Sequence, residues 1–328
     1  MARQPLRQLT QEQADHFVKH GWIKLEKCFT RQQAADVTKD VWIRLGMSPT
    51  DKSTWVEDNH MPTVNRWPIR DFAPKAWGAL LDIVGDERLV QNKNWGDGFI
   101  VNLGTPEGEG QDIPPDRWHV DGQQRVNFLD SGEQGLLIMP IFSDIRPGGG
   151  GTMICPAALP IMAQHLYDHP EGLMPGYRPV GEEPHGPHHQ FQRRTGRKMP
   201  PSTWVEVTGE PGDVYILHPF MLHSRVNNKH RDVRIVTNNR FPIKEPFQLA
   251  RDDPSQYSLI ERATLHALGR ENCKGWHITG ERKKFDDSRP RNPNKRGTQQ
   301  EERDAEMARV KAAGMGHIYE GYNRMRKN

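Results

Sequence analysis

Cysteine is scarce in this sequence. The 328 residues hold three, Cys28, Cys155 and Cys273, widely separated and odd in number. That excludes a disulfide framework or a thiolate metal cluster and predicts a reducing compartment. Long apolar runs are missing too: no stretch reaches the roughly 18 residues a membrane span needs. The first residues, MARQPLRQLT, carry no apolar core of a secretory leader. The expectation is a cytoplasmic chain with no membrane partner. Phosphate-loop and dinucleotide motifs are also lacking. The glycines at 148 to 151 have no following Lys-Ser/Thr, and no Gly-x-Gly-x-x-Gly has strand context.

Hydrophobic residues make up 34 % of the chain and charged ones 27 %, with Gly 30 and Pro 26. That is enough for a core, with many turns, and fits a β-rich enzyme better than a helix bundle. The net charge of +3 is uneven. From Glu281 onward there are 13 Lys and Arg against 8 Asp and Glu, or +5, which leaves −2 for the rest. A basic tail can touch nucleic acid, but this one has interleaved acids and, after Phe285, only Tyr319 and Tyr322 as aromatics. It reads as a solvated or packing extension, and no nucleic-acid partner is expected.

Thr10-Gln11-Glu12-Gln13 is a capping box. It opens a helix whose Ala14, Phe17 and Val18 share a face and which ends at Gly21. Trp22 to Leu25 alternates like a strand. A second helix is expected from Thr30 and a third over about Pro74 to Val84. Strand patterns then dominate: 98–103, 118–120, 135–143, 152–155, 205–207, 214–218 and 233–238. Many short strands punctuated by turns suggest a sandwich or jelly roll. Residues 159 to 202 look inserted, a short helix (Ile161 to Tyr167) running into a long loop. Residues 244 to 328 are polar and partly helical, with a capping box at Thr298-Gln299-Gln300-Glu301 and a non-helical stretch, Arg289 to Asn294.

The chemistry concentrates at Trp118-His119-Val120-Asp121-Gly122. On a strand, residues two apart face the same side, so His119 and Asp121 aim at one point. About a hundred residues on, Leu217-His218-Pro219-Phe220-Met221-Leu222-His223-Ser224 offers a further imidazole. Two His and one carboxylate with open positions are the ligand set of non-haem Fe(II) oxygenases. His218 competes with His223 for the third place. Five more histidines, His165, His169, His185, His188 and His189, are irregularly spaced with no recurring acid or thiolate, and read as a polar loop, a lid over the site, rather than a second metal centre.

The chain resembles the phytanoyl-CoA dioxygenase family of Fe(II)- and 2-oxoglutarate-dependent oxygenases. The resemblance covers the N-terminal capping box, the Gly-Trp-Ile-Lys-Leu strand and roughly residues 95 to 241. Its landmarks follow in order: the His-x-Asp segment at 118 to 122, an Asp-containing turn and Gly-rich bend from Ser143 to Pro156, and Gly212-Asp213 before the strand that delivers the distal His. Asn228 and Arg234 come five and eleven residues after His223. The resemblance implies a double-stranded β-helix (jelly roll) core in residues 1–243, with an N-terminal helical layer, an insert at 159–202 and a C-terminal helical extension at 244–328. It implies Fe(II) held by His119, Asp121 and His223, with 2-oxoglutarate and O2 in the open positions. It singles out His223 over His218, and Arg234 as partner of the far carboxylate of 2-oxoglutarate, a role for which Arg offers a fork that Lys lacks. Arg225, Arg231 and Arg240 are nearby competitors.

Thr152 and Asn102 are candidates for co-substrate contacts, or for satisfying strand edges. Gln123, Gln124 and Arg125 are placed at the substrate mouth, and Trp95, Trp118 and Phe220 as packing. The carboxylate of Asp121 stands where related halogenases have a small residue, so hydroxylation, desaturation or ring formation fits and halogenation does not. The expected partner is a small organic molecule. A metal-binding jelly roll without turnover, or an oxygenase led to a macromolecule by the tail, are the alternatives, and oligomeric state stays open, a homodimer included.

Overall fold

The structure is a computed structural model that describes residues 5–56, 58–87, 90, 93–106, 117–285 and 299–319. The helices are α1 (Gln11–His20), α2 (Arg31–Thr38), α3 (Val41–Leu45), α4 (Ile69–Phe72), α5 (Pro74–Val84), α6 (Leu159–Asp168), α7 (Phe191–Lys198), α8 (Leu259–Ala267) and α9 (Gln299–Ala312). The strands are β1 (Trp22–Leu25), β2 (Asp58–His60), β3 (Arg66–Pro68), β4 (Asn94–Gly96), β5 (Phe99–Asn102), β6 (Leu136–Pro140) and β7 (Met153–Cys155). After the insert begins come β8 (Leu173–Met174), β9 (Arg178–Pro179), β10 (Val205–Glu206), β11 (Val214–Leu217), β12 (Leu222–Ser224), β13 (Arg234–Thr237) and β14 (Asn239–Phe241).

Helices and antiparallel sheets are mixed. One sheet runs β1-β11-β6-β14, a second β10-β7-β12 and a third β13-β5-β2. In β6 and β11 every residue is buried, which is why both read as continuous apolar runs rather than alternating ones. Ile216 pairs across to Ile23 on one side and Ile138 on the other. Each such side chain contributes roughly 1.5–3 kcal/mol on burial.

Local chemistry starts the N-terminal layer as the sequence predicts. Thr10 and Gln13 form a reciprocal capping box, and Gly21 ends α1 in the left-handed region at φ 70°. A Cβ at Gly21 would lie 2.5 Å from Leu159 Cδ2 and 3.3 Å from the Cβ of His218. The glycine therefore lets α1 turn into β1 directly against the end of β11. Thr30 and Gln33 cap α2 in the same way.

Two features differ from the expectation, and in a third the packing alternative for the extension holds. Residues 118–120 form no strand; His119 makes a single bridge to His223. The insert carries a second helix, α7, and a small hairpin, β8 and β9. Its sequence, FQRRTGRK, shows no apolar stripe, and its start has no side-chain cap, so neither periodicity nor capping announces it. The C-terminal extension is tied in: the Arg44 guanidinium donates to Glu306 at 2.6 Å, to Asp97 at 3.0 Å and to the Pro62 carbonyl at 2.6 Å, and the Tyr319 hydroxyl also donates to Glu306. Arg44 and Glu306 are each 3 % exposed. The expected non-helical stretch at Arg289–Asn294 and the Thr298 that opens the expected capping box lie outside the described residues. Among the described residues no helix is long and apolar enough to cross a membrane.

Breaking a buried ion pair from one side costs about 3–5 kcal/mol, because the remaining charge stays buried. Glu306→Ala should lower unfolding free energy by that order in chemical denaturation and detach α9 from α3. A loss under about 1 kcal/mol would mean that the tail does not depend on this pair.

Candidate metal and co-substrate site

Strand β12 places His223 opposite Ile154 of β7, and the backbones of His119 and His223 exchange two hydrogen bonds of 2.9 Å. The rings consequently lie 4.2 Å apart between centroids. His119 Nδ1 lies 2.8 Å from the Arg117 carbonyl, and His223 Nδ1 lies 3.0 Å from the Met221 carbonyl. A carbonyl only accepts, so each Nδ1 carries the proton and each Nε2 of the neutral ring presents a lone pair. Both Nε2 atoms face Asp121 Oδ1, at 3.8 and 4.0 Å. These three side chains form one of two groups, among the described residues, whose ligand atoms lie within 4.8 Å of one another.

A transition-metal ion suits this group. His223 is 3 % exposed and its Nε2 is buried with no hydrogen-bond partner among the described residues, an arrangement that costs free energy unless something else accepts the lone pair. The outward Nδ1–H bonds are those by which metal-bound imidazoles are oriented. Burial pushes His223 down to about 4, helped by His119 and opposed by Asp121, so its ring is neutral near pH 7. Burial alone would raise the Asp121 carboxyl, but His223, His119, Arg240 and the Asn238 amide together hold it below its ordinary value. It is thus ready as an anionic ligand. Its second oxygen accepts from Asn238 Nδ2 at 3.1 Å.

His218 lies elsewhere. Its Nε2 pairs with Thr264 Oγ1 on α8 at 2.9 Å, and its Nδ1 accepts from the Phe220 amide. It is fully buried, and burial pushes it down to about 3. Arg234 is 3 % exposed and pairs in register with Asn102. Its guanidinium donates to Thr152 Oγ1 at 3.2 Å and to the Ile100 carbonyl at 3.3 Å. Asn102 donates to the Val226 carbonyl and accepts from the Gly104 amide, so its side chain ties loops together beside the site. Asn228 likewise spends its amide on the carbonyls of Asn102 and Asp232.

All six expected site residues, His119, Asp121, His223, Arg234, Thr152 and Asn102, line one cavity of about 1750 Å³, with Gln123, Gln124 and Arg125. Trp95 and Phe220 are buried packing; Trp118 packs on Trp204 and also edges the cavity. Among the described residues the lining is cationic: ten Arg and Lys side chains against Asp121 and Glu133. Glu133 already faces Arg282 at 3.6 Å. Arg125 has Nε and Nη1 buried without a hydrogen-bond partner among the described residues, and burial with the nearby Arg240 pushes it below its ordinary value. Sequence reasoning missed Asn238, whose one signal is its place just beyond the strand of Arg234.

No family model matches the chain, and no curated protein matches it. Solved structures give distant likenesses. HygX from Streptomyces hygroscopicus, with nickel, 2-oxoglutarate and hygromycin B bound, is 13 % identical over 70 % of this chain and 85 % of its own, with a TM-score of 0.37. EctD from S. alaskensis, with 2-oxoglutarate and 5-hydroxyectoine, is 16 % identical over 70 % and 74 %, at 0.39. EvdO2 from Micromonospora carbonacea var. aurantiaca is 13 % identical over 77 % and 98 %, at 0.40.

The neutral burial of His218 makes a pH prediction. Its folded value, about 3, lies below the ordinary 6.5, so between these the unfolded chain binds a proton that the folded chain refuses. The stabilisation is complete above about pH 6.5 and is lost as pH falls toward 3, at up to about 1.4 kcal/mol per pH unit. His218→Gln, which can still reach Thr264, should flatten the pH dependence of denaturation between pH 4 and 6 by about one proton. An unchanged slope would remove His218 as its source.

Proposed function

We propose that the protein is an Fe(II)- and 2-oxoglutarate-dependent dioxygenase with a double-stranded β-helix core, similar to the phytanoyl-CoA dioxygenases. Its substrate is a small organic molecule bearing negative charge, and its products include succinate and CO2. The observation that carries this reading is the convergence of His119 and His223 Nε2 on Asp121, with both tautomers set by backbone carbonyls. Two imidazoles and one carboxylate are the protein ligand set of non-haem Fe(II) oxygenases, and His119, Asp121 and His223 would hold Fe(II) with 2-oxoglutarate and O2 as co-substrates. Once bound, the metal and 2-oxoglutarate supply the oxidising chemistry, coupling O2 reduction to decarboxylation of the 2-oxo acid.

The protein's own groups do the holding. Asp121 brings the one anionic ligand and is kept in place by Asn238. Arg234 takes the far carboxylate of 2-oxoglutarate, and Thr152 orients its fork. Asn102 positions the strand beside it rather than contacting the co-substrate. Arg125, whose buried guanidinium atoms have no acceptor among the described residues, favours an arriving anion; Arg240, which donates to Gln124 Oε1 at 3.4 Å, adds to the positive field. Asp121 keeps hydroxylation, desaturation and ring formation open and disfavours halogenation. The packing of Glu306 against Arg44 weighs against a tail that reaches for a macromolecule.

Truncating one partner of a buried charge-assisted pair costs roughly 2–5 kcal/mol, on the order of 30- to 3000-fold in affinity. In succinate-release assays with added Fe(II), Arg234→Ala should raise the apparent constant for 2-oxoglutarate by this range while Fe(II) affinity is kept. Arg234→Lys should recover part of it, because charge returns without the fork. An unchanged constant in Arg234→Ala would transfer the role to Arg225 or Arg240. Wild-type protein that consumes no 2-oxoglutarate with any small anion would favour a scaffold without turnover.

A further inference from the structure

The insert holds a second convergence of imidazoles. His165 sits near the end of α6, His169 just past it, and His188 shortly before α7. One ring nitrogen of each lies within 4.8 Å of one from each of the others. The ring centroids are 4.7, 4.9 and 5.2 Å apart. Imidazoles sharing a tetrahedral ion at about 2.0–2.1 Å place their centroids about 5 Å apart. The irregular spacing that argued against a metal in the sequence reflects the hairpin between, which returns residue 188 to the end of α6.

Each ring also has an outward acceptor. His165 Nε2 lies 2.8 Å from the Tyr177 carbonyl, His169 Nδ1 lies 2.8 Å from Glu171 Oε1, and His188 Nδ1 lies 2.5 Å from Glu182 Oε2. Carbonyls and carboxylates accept, so these nitrogens carry the protons and the other three, in neutral rings, bear lone pairs. Carboxylate–histidine pairs of this kind orient zinc ligands and raise their basicity. The acids absent from the sequence pattern are therefore present, behind the imidazoles rather than among them. Phe191 stacks on His165 at 3.8 Å and walls one side.

We propose that His165, His169 and His188 bind a Zn2+ ion, with Glu171 and Glu182 behind them and a fourth position for water. Three imidazoles suit this borderline ion, and three protein ligands plus one open position is an established zinc stereochemistry. The ion clips the end of α6 to the segment entering α7 and closes the loop between. That loop and its flank supply Pro175, Gly176, Arg178, Gln192 and Arg193 to the large cavity, so the clip fixes the wall over the first site.

The test uses full-length protein carrying His119→Ala, which disables the first metal site, so its result stands apart from the oxygenase reading. After chelation and equilibration with Zn2+ alone, this variant should hold about one zinc per chain. Adding His188→Ala should weaken zinc by more than about 100-fold, and adding Glu182→Gln instead by about 10- to 100-fold. Glu182→Gln leaves every imidazole in place and keeps the test if the histidine variant unfolds. Zinc should also slow hydrogen exchange across residues 170–193. Absence of zinc from His119→Ala, or equal affinity after Glu182→Gln, overturns the site; zinc bound without slower exchange overturns the clip.

Discussion

Two backbone hydrogen bonds between His119 and His223, 2.9 Å each, are what the proposed site depends on. They join residues a hundred positions apart, and everything else in the site is referenced to them. Because the backbones meet there, both imidazoles emerge from one spot, and their Nδ1 protons find carbonyls two residues back in each chain segment. No side-chain framework is needed to set either tautomer. His223 itself stands on β12, paired with β7, and a strand is a firmer base for a site than a loop.

Charge is distributed around this pair with little slack. Asp121 is surrounded by two imidazoles, Arg240 and an amide, and Arg234 is buried with Thr152 and a backbone carbonyl as acceptors. Among the described residues, Arg and Lys outnumber acids in the cavity lining. Within a low-dielectric wall such an excess is costly unless anions enter. The proposed dianionic co-substrate and anionic substrate would both answer that cost.

Much of this was legible in the chain. A capping box located α1, the helices expected from Thr30 and over about Pro74 to Val84 matched α2 and α5, and apolar runs located β6 and β11. His-x-Asp spacing and the later histidines located the candidate ligands. Other features needed three dimensions. Whether His218 or His223 faces Asp121 is settled by α8, whose Thr264 takes His218. The α7 helix has no apolar stripe, because it presents Gly196 to the Trp118 indole instead. The Arg44–Glu306 pair spans 262 positions, and the 165, 169 and 188 imidazoles meet only because a hairpin brings the chain back. Asn238 has no pattern of its own.

The most direct measurement is anaerobic visible absorption of the protein titrated with Fe(II) and then 2-oxoglutarate. A 2-oxo acid chelated to ferrous iron produces a charge-transfer band that neither component gives alone. The account predicts that band at one equivalent of iron per chain, and its absence when His119 or His223 is alanine. No band in the wild-type protein, or an undiminished band in the His223→Ala variant, would contradict it.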